Sequence, residues 1–407
     1  MKAVIFLGDG MSDYPIPSLG GKTPLQAARK PGMDRIAAEG QSGRFETVPK
    51  GQSKGSAVAN LSVLGYDPVD AYHGRAVLEA ANMGVALSPS DVALRCNLVC
   101  IENANIKNHS AGHISSEEAK VLIEALDEKL GGRRDGIEVR FHPGVSYRHL
   151  LVLAGEGISA AVKCAPPHDY VDQAAEPLLP APKTEEAERT ARLLLELYRQ
   201  ASKILEAHPV NRKRVAEGKD PANSIWTWSP GTKPRMKTFQ ERFGVKGAVI
   251  SAVDLIMGLG LYAGMDVIRV PGATGLWDTN YEGKAEACLE ALDDHDLVYV
   301  HVEATDEAGH ARDLEMKIKC IEMLDSRIIV PVMAGIEKKG IACQVAVLPD
   351  HPTPVSTGVH ARDTVPVSIM GPGREPDGVD RYDEDAAESG ALGAMKGEDF
   401  IREVLSL

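Results

Sequence analysis

Short apolar runs punctuate the chain at residues 3–7, 267–270, Leu297–Val302, 344–348 and Val365–Met370, each bounded by Gly, Pro or an acid. Runs of this length without polar alternation predict strands buried on both faces, the habit of parallel sheets. Stretches with helical spacing lie between them. One is Leu314–Leu324, where Ile318, Ile321, Met323 and Leu324 fall roughly on one face. Strands and helices in alternation predict an α/β sandwich around a mostly parallel sheet.

The middle of the chain has another texture. Ser115 followed by Glu118 is a capping-box signature, after which Leu122, Ala125, Leu126 and Leu130 recur at helical spacing until Gly131-Gly132. Thr184 is a second candidate N-cap, with Glu185 and Glu186 suiting the positive end of a helix dipole. The helix it opens should end near His208-Pro209. Strands are expected at 137–141 and 149–153, and Pro and Gly crowd residues 218–234. These features predict an α+β insertion over residues 81–235, splitting one α/β domain into 1–80 and 236–407.

Composition narrows the class. The chain has 407 residues, 43% of them hydrophobic, which is ample for real cores. Its 45 basic and 58 acidic side chains give a net charge of -13, the wrong sign for holding nucleic acid through a global field. The apolar run before Asp9 is too short for a signal segment, and no stretch is long enough to span a bilayer. The six cysteines show no C-x-x-C pair and read as reduced thiols. The sequence therefore predicts a cytoplasmic protein with neither nucleic-acid nor membrane partners. It leaves the oligomeric state open.

Candidate chemistry lies just past the strands. Run 3–7 leads into Asp9, Leu297–Val302 leads to Asp306 and His310, and run 344–348 leads into Asp350-His351. His360 follows nine residues later. Ligands of open parallel sheets bind beyond the carboxyl ends of strands, so these acids should converge on one rim. Each alone suits a cap or a surface pair. Together, three Asp and three His offer mixed oxygen and nitrogen ligation for two divalent ions, with Mn²⁺, Zn²⁺ or Mg²⁺ all compatible. Gly55-Ser56, followed by Ala-Val-Ala-Asn60-Leu, reads as a turn entering a helix. Ser56 there is either an N-cap or a nucleophile beside amides able to hold a phosphoryl group.

Several segments carry a family resemblance: Gly20-Gly21-Lys22-Thr23-Pro24-Leu25, Gly55-Ser56 through Leu61-Ser62-Val63-Leu64-Gly65-Tyr66-Asp67-Pro68, Gly74-Arg75, Arg95-Cys96-Asn97, Thr305-Asp306-Glu307-Ala308-Gly309-His310 and Pro349-Asp350-His351. In this order they resemble the archaeal-type, cofactor-independent phosphoglycerate mutases of the alkaline phosphatase superfamily. The resemblance implies an alkaline-phosphatase-like three-layer sandwich with a smaller substrate-binding insertion. It implies Ser56 as the nucleophile, transiently a phosphoserine. One metal would be held by Asp9, Ser56, Asp350 and His351, and the other by Asp306, His310 and His360. It further implies 3-phosphoglycerate and 2-phosphoglycerate as substrates, kept in a closed cleft, with no need for 2,3-bisphosphoglycerate.

The chain departs from the mutase pattern in places. Gly-Ser-Asp-Thr-Ala-His becomes Gly55-Ser56-Ala57-Val58-Ala59-Asn60, and Ala-Gly-Arg-Ile becomes Ala111-Gly112-His113-Ile114. With residues 221–226 and 272–275, these resemble a bacterial branch proposed as homoserine kinases, in which ATP would supply the phosphoryl group. The chain lacks G-x-x-x-x-G-K-[ST], so a standard P-loop kinase is excluded. A metal-dependent phosphatase and a metal-stabilised binding protein are further alternatives. Arg95, Arg148, His113, Lys246 and Arg235 are the candidate partners of a small phosphorylated substrate. Trp226 and Trp228 suggest packing rather than ligand stacking, and His168-Asp169 a cleft residue or a turn.

Overall fold

The computed structural model describes residues 2–407. They form two compact units, residues 2–72 with 236–407, and residues 73–235. The insertion starts at His73 rather than 81, because helix Arg75–Asn82 packs against strands Val92–Glu102 and Ser224–Thr232 of the inserted unit.

The first unit is built on an eight-stranded mixed sheet. Its order is Asp266–Ile268, Gly247–Ile250, Leu297–Val302, Lys2–Gly8, Cys343–Leu348, Val365–Met370, Gln41–Glu46 and Gly393–Lys396. The first five are mutually parallel. Lys2–Gly8 sits between two of them, so its residues 3–8 are wholly buried, as the unbroken apolar run requires. Val4 and Phe6 pack under helices Pro31–Ala38, Tyr281–Asp294 and Leu314–Leu324. Ile5 and Leu7 alternate to the opposite face. Each such side chain contributes on the order of 1.5–3 kcal/mol.

Two strand expectations need correction. Val365–Met370 runs antiparallel to both neighbours. A parallel return needs a long crossover, usually helical, whereas residues 349–364 contain no helix and turn the chain straight back. The run at 267–270 is only a short edge strand, Asp266–Ile268, with a half-exposed face.

The inserted unit is α+β. Its antiparallel sheet runs Ser224–Thr232, Val92–Glu102, Arg148–Ala154, Ile137–His142 and Gly132–Arg134, packed under helices Ser116–Leu130 and Glu188–Ala207. Ser115 caps the first helix, accepting from Glu118 N at 3.2 Å. The reciprocal half of the box is missing, since the Glu118 carboxylate takes Arg214 at 2.6 Å instead. Thr184 makes no side-chain cap; it precedes a 3₁₀ turn, and the long helix begins at Glu188. The Pro- and Gly-rich stretch at 218–234 contains a nine-residue strand, with an irregularity between Trp228 and Gly231 that absorbs its Pro-Gly pair. All six cysteines are free and five are buried. No helix of the described residues is long and apolar enough to cross a membrane.

Candidate active site

Lys2–Gly8 pairs in parallel with Leu297–Val302 on one side and Cys343–Leu348 on the other, so three carboxyl ends stop side by side. Asp9 is fixed there by its own N–H, which donates to Val302 O at 2.9 Å. Asp306 lies in the short helix Ala304–His310, and His310 follows one turn later with Nε2 3.0 Å from Asp306 Oδ2. Asp350 accepts from Gly10 N at 3.1 Å and His351 N at 2.9 Å through Oδ1. All three acids are buried. Positive φ at Gly10 turns the chain beneath them.

Ser56 joins this cluster from the first position of helix Ser56–Val63. Gly55, with φ of 152°, occupies the N-cap position, so the serine hydroxyl does not cap the helix. Ser56 Oγ lies 3.3 Å from His351 Nε2 and 3.5 Å from Asp9 Oδ1. His351 Nε2 is also 3.6 Å from Asp9 Oδ1 and 3.4 Å from Asp350 Oδ2. On the other side, His310 Nε2 and His360 Nε2 approach to 2.9 Å, and His360 Nε2 is 3.6 Å from Asp306 Oδ1. Every residue read from the sequence as a ligand or nucleophile is therefore in one cluster.

The donor set fits divalent cations. Donor atoms form three groups, each within a 4.8 Å span: Asp9, Asp350 and His351; Asp306, His351 and His360; and Asp9, His301 and Glu303. Two imidazole nitrogens facing each other at 2.9 Å beside a carboxylate need a shared proton or a cation between them. The acids show the same tension. Burial, then the charges of Asp350, Glu303 and Asp306, push the Asp9 carboxyl well above its ordinary range. Burial acts in the same sense on Asp306, but bonds from His310 and His360 outweigh it and hold that carboxyl low. The partnership raises His310 to about 9. Burial lowers His351, leaving it neutral as a ligand must be.

Supporting side chains were not legible beforehand. Lys317, wholly buried in helix Leu314–Leu324, donates to Asp13 Oδ2 at 2.9 Å, Ser12 O at 3.1 Å and Thr353 O at 2.8 Å, tying two site loops together. Thr353 donates to Asp306 Oδ1. Asn60, one of the departures from the mutase pattern, donates to Ser56 O at 2.8 Å and Asp350 Oδ2 at 2.9 Å, and accepts from buried Tyr299. The available signal was polarity at otherwise apolar positions: Tyr299 and His301 alternate within a buried strand, and Lys317 interrupts an apolar helix face.

The predicted substrate contacts divide. Arg95 and Arg148 line a cavity of about 440 Å³ within the inserted unit, with Arg75, Asn97, His109, Tyr147, His168 and Trp228. The Arg95 guanidinium sits 4.2 Å above the Trp228 ring, and its Nε is 3.0 Å from Glu79 Oε2. Burial lowers Arg95 to about 10, so it stays charged at neutral pH. Trp228 thus belongs to the cavity wall, whereas Trp226 is core, donating to Ala165 O at 2.8 Å. His168 is a cavity residue, its ring 5.3 Å from that of Trp228. His113 is exposed, edge-on to Tyr147, and Arg235 is exposed and outside the cavity lining. Lys246 lies at the amino-terminal edge of the main sheet, 3.6 Å from Asp266, the opposite end from the acidic cluster. Residues leading into a parallel strand and residues leaving it are necessarily on opposite rims.

Three buried acids and a set of imidazoles beyond the ends of parallel strands, with a serine at a helix start, give an α/β protein a site whose donors fit divalent cations. A family model described as 2,3-bisphosphoglycerate-independent phosphoglycerate mutase matches residues 37–211. A protein of that name from Methanosarcina acetivorans is 53% identical over 402 residues, 98% of each chain. A "probable" one from Geobacter sulfurreducens is 51% identical over 397 residues, 96% of each chain. Among solved structures, the cofactor-independent phosphoglycerate mutase from Thermoplasma acidophilum matches with a TM-score of 0.71 at 28% identity, covering 100% of this chain and 99% of that one. The chain belongs to the 2,3-bisphosphoglycerate-independent phosphoglycerate mutase family, and it is an enzyme.

Proposed function

We propose that the enzyme interconverts 3-phosphoglycerate and 2-phosphoglycerate through a phosphorylated Ser56. In this reading Asp9, Ser56, Asp350 and His351 hold one divalent cation, and Asp306, His310 and His360 hold a second. The observation that carries it is the place of Ser56 Oγ, at a helix start and within 3.5 Å of both an acid and an imidazole of the cluster. Ser56 Oγ bonds to phosphorus as the bond from phosphorus to O3 breaks. O3 then carries a proton equivalent to the one the serine gave up. In the second half O2 gives up its proton as it attacks phosphorus, and Oγ leaves and takes up an equivalent one. Bound divalent cations would neutralise phosphoryl charge and favour the deprotonated serine. Asp350 and the nucleophile helix stay fixed relative to each other through Asn60.

The inserted unit supports glycerate over homoserine. Its cavity is lined by three arginines and two histidines and by no carboxylate. That lining suits the glycerate carboxylate, and its three arginines oppose the ammonium group of homoserine. An enolase-coupled assay of the cation-loaded protein tests the proposal. We expect 2-phosphoglycerate formation, reduced at least about a thousandfold in Ser56→Ala, and no product from ATP and homoserine. Turnover only with ATP and homoserine, or net release of inorganic phosphate from phosphoglycerate, would overturn the substrate assignment. An active Ser56→Ala protein would overturn the phosphoserine.

A further inference from the structure

Asp9 is gripped from behind by a residue outside the proposed ligand set. His301, in strand Leu297–Val302 and paired in register with Leu7, is fully buried, with Nε2 2.9 Å from Asp9 Oδ2. Its Nδ1 lies 3.2 Å from Ser251 Oγ. That hydroxyl oxygen already accepts the Val253 N–H at 3.0 Å, so its own hydrogen is free to donate to Nδ1. The ring proton is then on Nε2 and points at Asp9 Oδ2. The backbone is pinned as well, because the His301 carbonyl accepts from buried Lys284 Nζ at 2.8 Å.

We infer that His301, with its tautomer set by Ser251, is a positioning residue that presents a single oxygen of Asp9 to the cation; this rests on the proposal that Asp9 is a cation ligand. With Oδ2 engaged behind, Oδ1 is the oxygen left facing Ser56 Oγ at 3.5 Å and His351 Nε2 at 3.6 Å. The same Nε2–H lies 3.7 Å from Glu303 Oε2, a buried oxygen with no hydrogen-bond partner. Glu303 and Asp9 also act on each other directly, each shifting the other's carboxyl, so His301 is a neutral donor beside two mutually repelling acids. Side chains that orient a metal-ligating carboxylate typically contribute 10–100-fold in metal affinity.

Equilibrium dialysis of the full chain against Mn²⁺, without substrate, tests the inference. Wild type should bind two ions per chain. His301→Ala should bind one of them about 10–100-fold more weakly and the other normally. His301→Gln, which restores an N–H donor, should recover most of the loss, and Ser251→Ala should weaken the same ion by about tenfold. In turnover, kcat should fall in His301→Ala while KM for phosphoglycerate stays within about twofold. Mn²⁺ isotherms of folded His301→Ala that coincide with wild type would overturn the inference, whatever the change in Tm. So would three ions in wild type and two in His301→Ala, which would make His301 a ligand. Should His301→Ala not fold, an unchanged Mn²⁺ affinity in Ser251→Ala overturns it equally. Because no substrate is present, missing mutase activity with intact two-ion binding would refute the functional proposal and leave this one standing.

Discussion

At the scale of single residues, the cluster is crowded enough for the loss or gain of one atom to matter. A Cβ on Gly10 would run into the Asp306 carboxylate, lie 2.6 Å from Thr353 Oγ1 and 2.8 Å from Asp306 Cα, and hold φ at +60°. Gly10→Ala should therefore cost about 2–4 kcal/mol of stability and displace Asp306, which thermal melts and Mn²⁺ titration would both register. Protonation competes with metal at the same atoms. The bond to Asp306 raises His310 to about 9, so its proton is held through neutral pH and must leave before the imidazole can ligate. Mn²⁺ affinity should thus rise as pH rises from 6 toward 9, with protons released on binding. Calorimetry in buffers of different ionisation enthalpy would show this, and an affinity independent of pH would exclude His310 as a ligand.

At the scale of elements, buried charge fastens pieces that sequence proximity does not. Helix Pro31–Ala38 has no side-chain cap of its own. Asp325, nearly 300 residues away in sequence, accepts from Gly32 N at 3.1 Å and Met33 N at 2.6 Å and does the capping in trans. Asp325→Ala should destabilise the main unit by about 1–3 kcal/mol, read as a lower urea midpoint. Local signals of other kinds were legible. The apolar runs before Asp9, Asp306 and Asp350 gave strands that end where expected, and Ser115 caps its helix. Strand Val92–Glu102 was missed because Asn97 and Arg95 interrupt its apolar run, and those polar side chains are used by the cavity. The direction of Val365–Met370 was misread because its apolar pattern records burial on both faces, not polarity of the chain.

At the scale of the whole molecule, stability should depend on pH through groups outside the cluster. His149 of the inserted unit is buried, with Nδ1 accepting from Gly144 N at 3.0 Å and Nε2 unpartnered. Burial lowers it to about 3, against about 6.5 in an unfolded chain. Below about pH 6.5 the unfolded state binds a proton that the folded state refuses, so stability falls with pH down to about 3, by up to about 1.4 kcal/mol per unit. His149→Asn should remove that part of the acid sensitivity. Urea unfolding at pH 7, 6, 5 and 4 would test it, and parallel pH trends in both proteins would refute it.

The sequence by itself pointed to the strand-helix alternation, to an inserted unit and to Asp9, Asp306, His310, Asp350, His351 and His360 as candidate ligands, through local patterns such as an apolar run or a one-turn spacing; for Ser56 it left cap and nucleophile both open. Only the tertiary structure decided which charges face one another. It sent Lys246 to the far rim, placed Arg95 over Trp228 and set His301 behind Asp9. Strand order and register make those choices through contacts between residues up to 341 positions apart, and no local pattern of polarity encodes them.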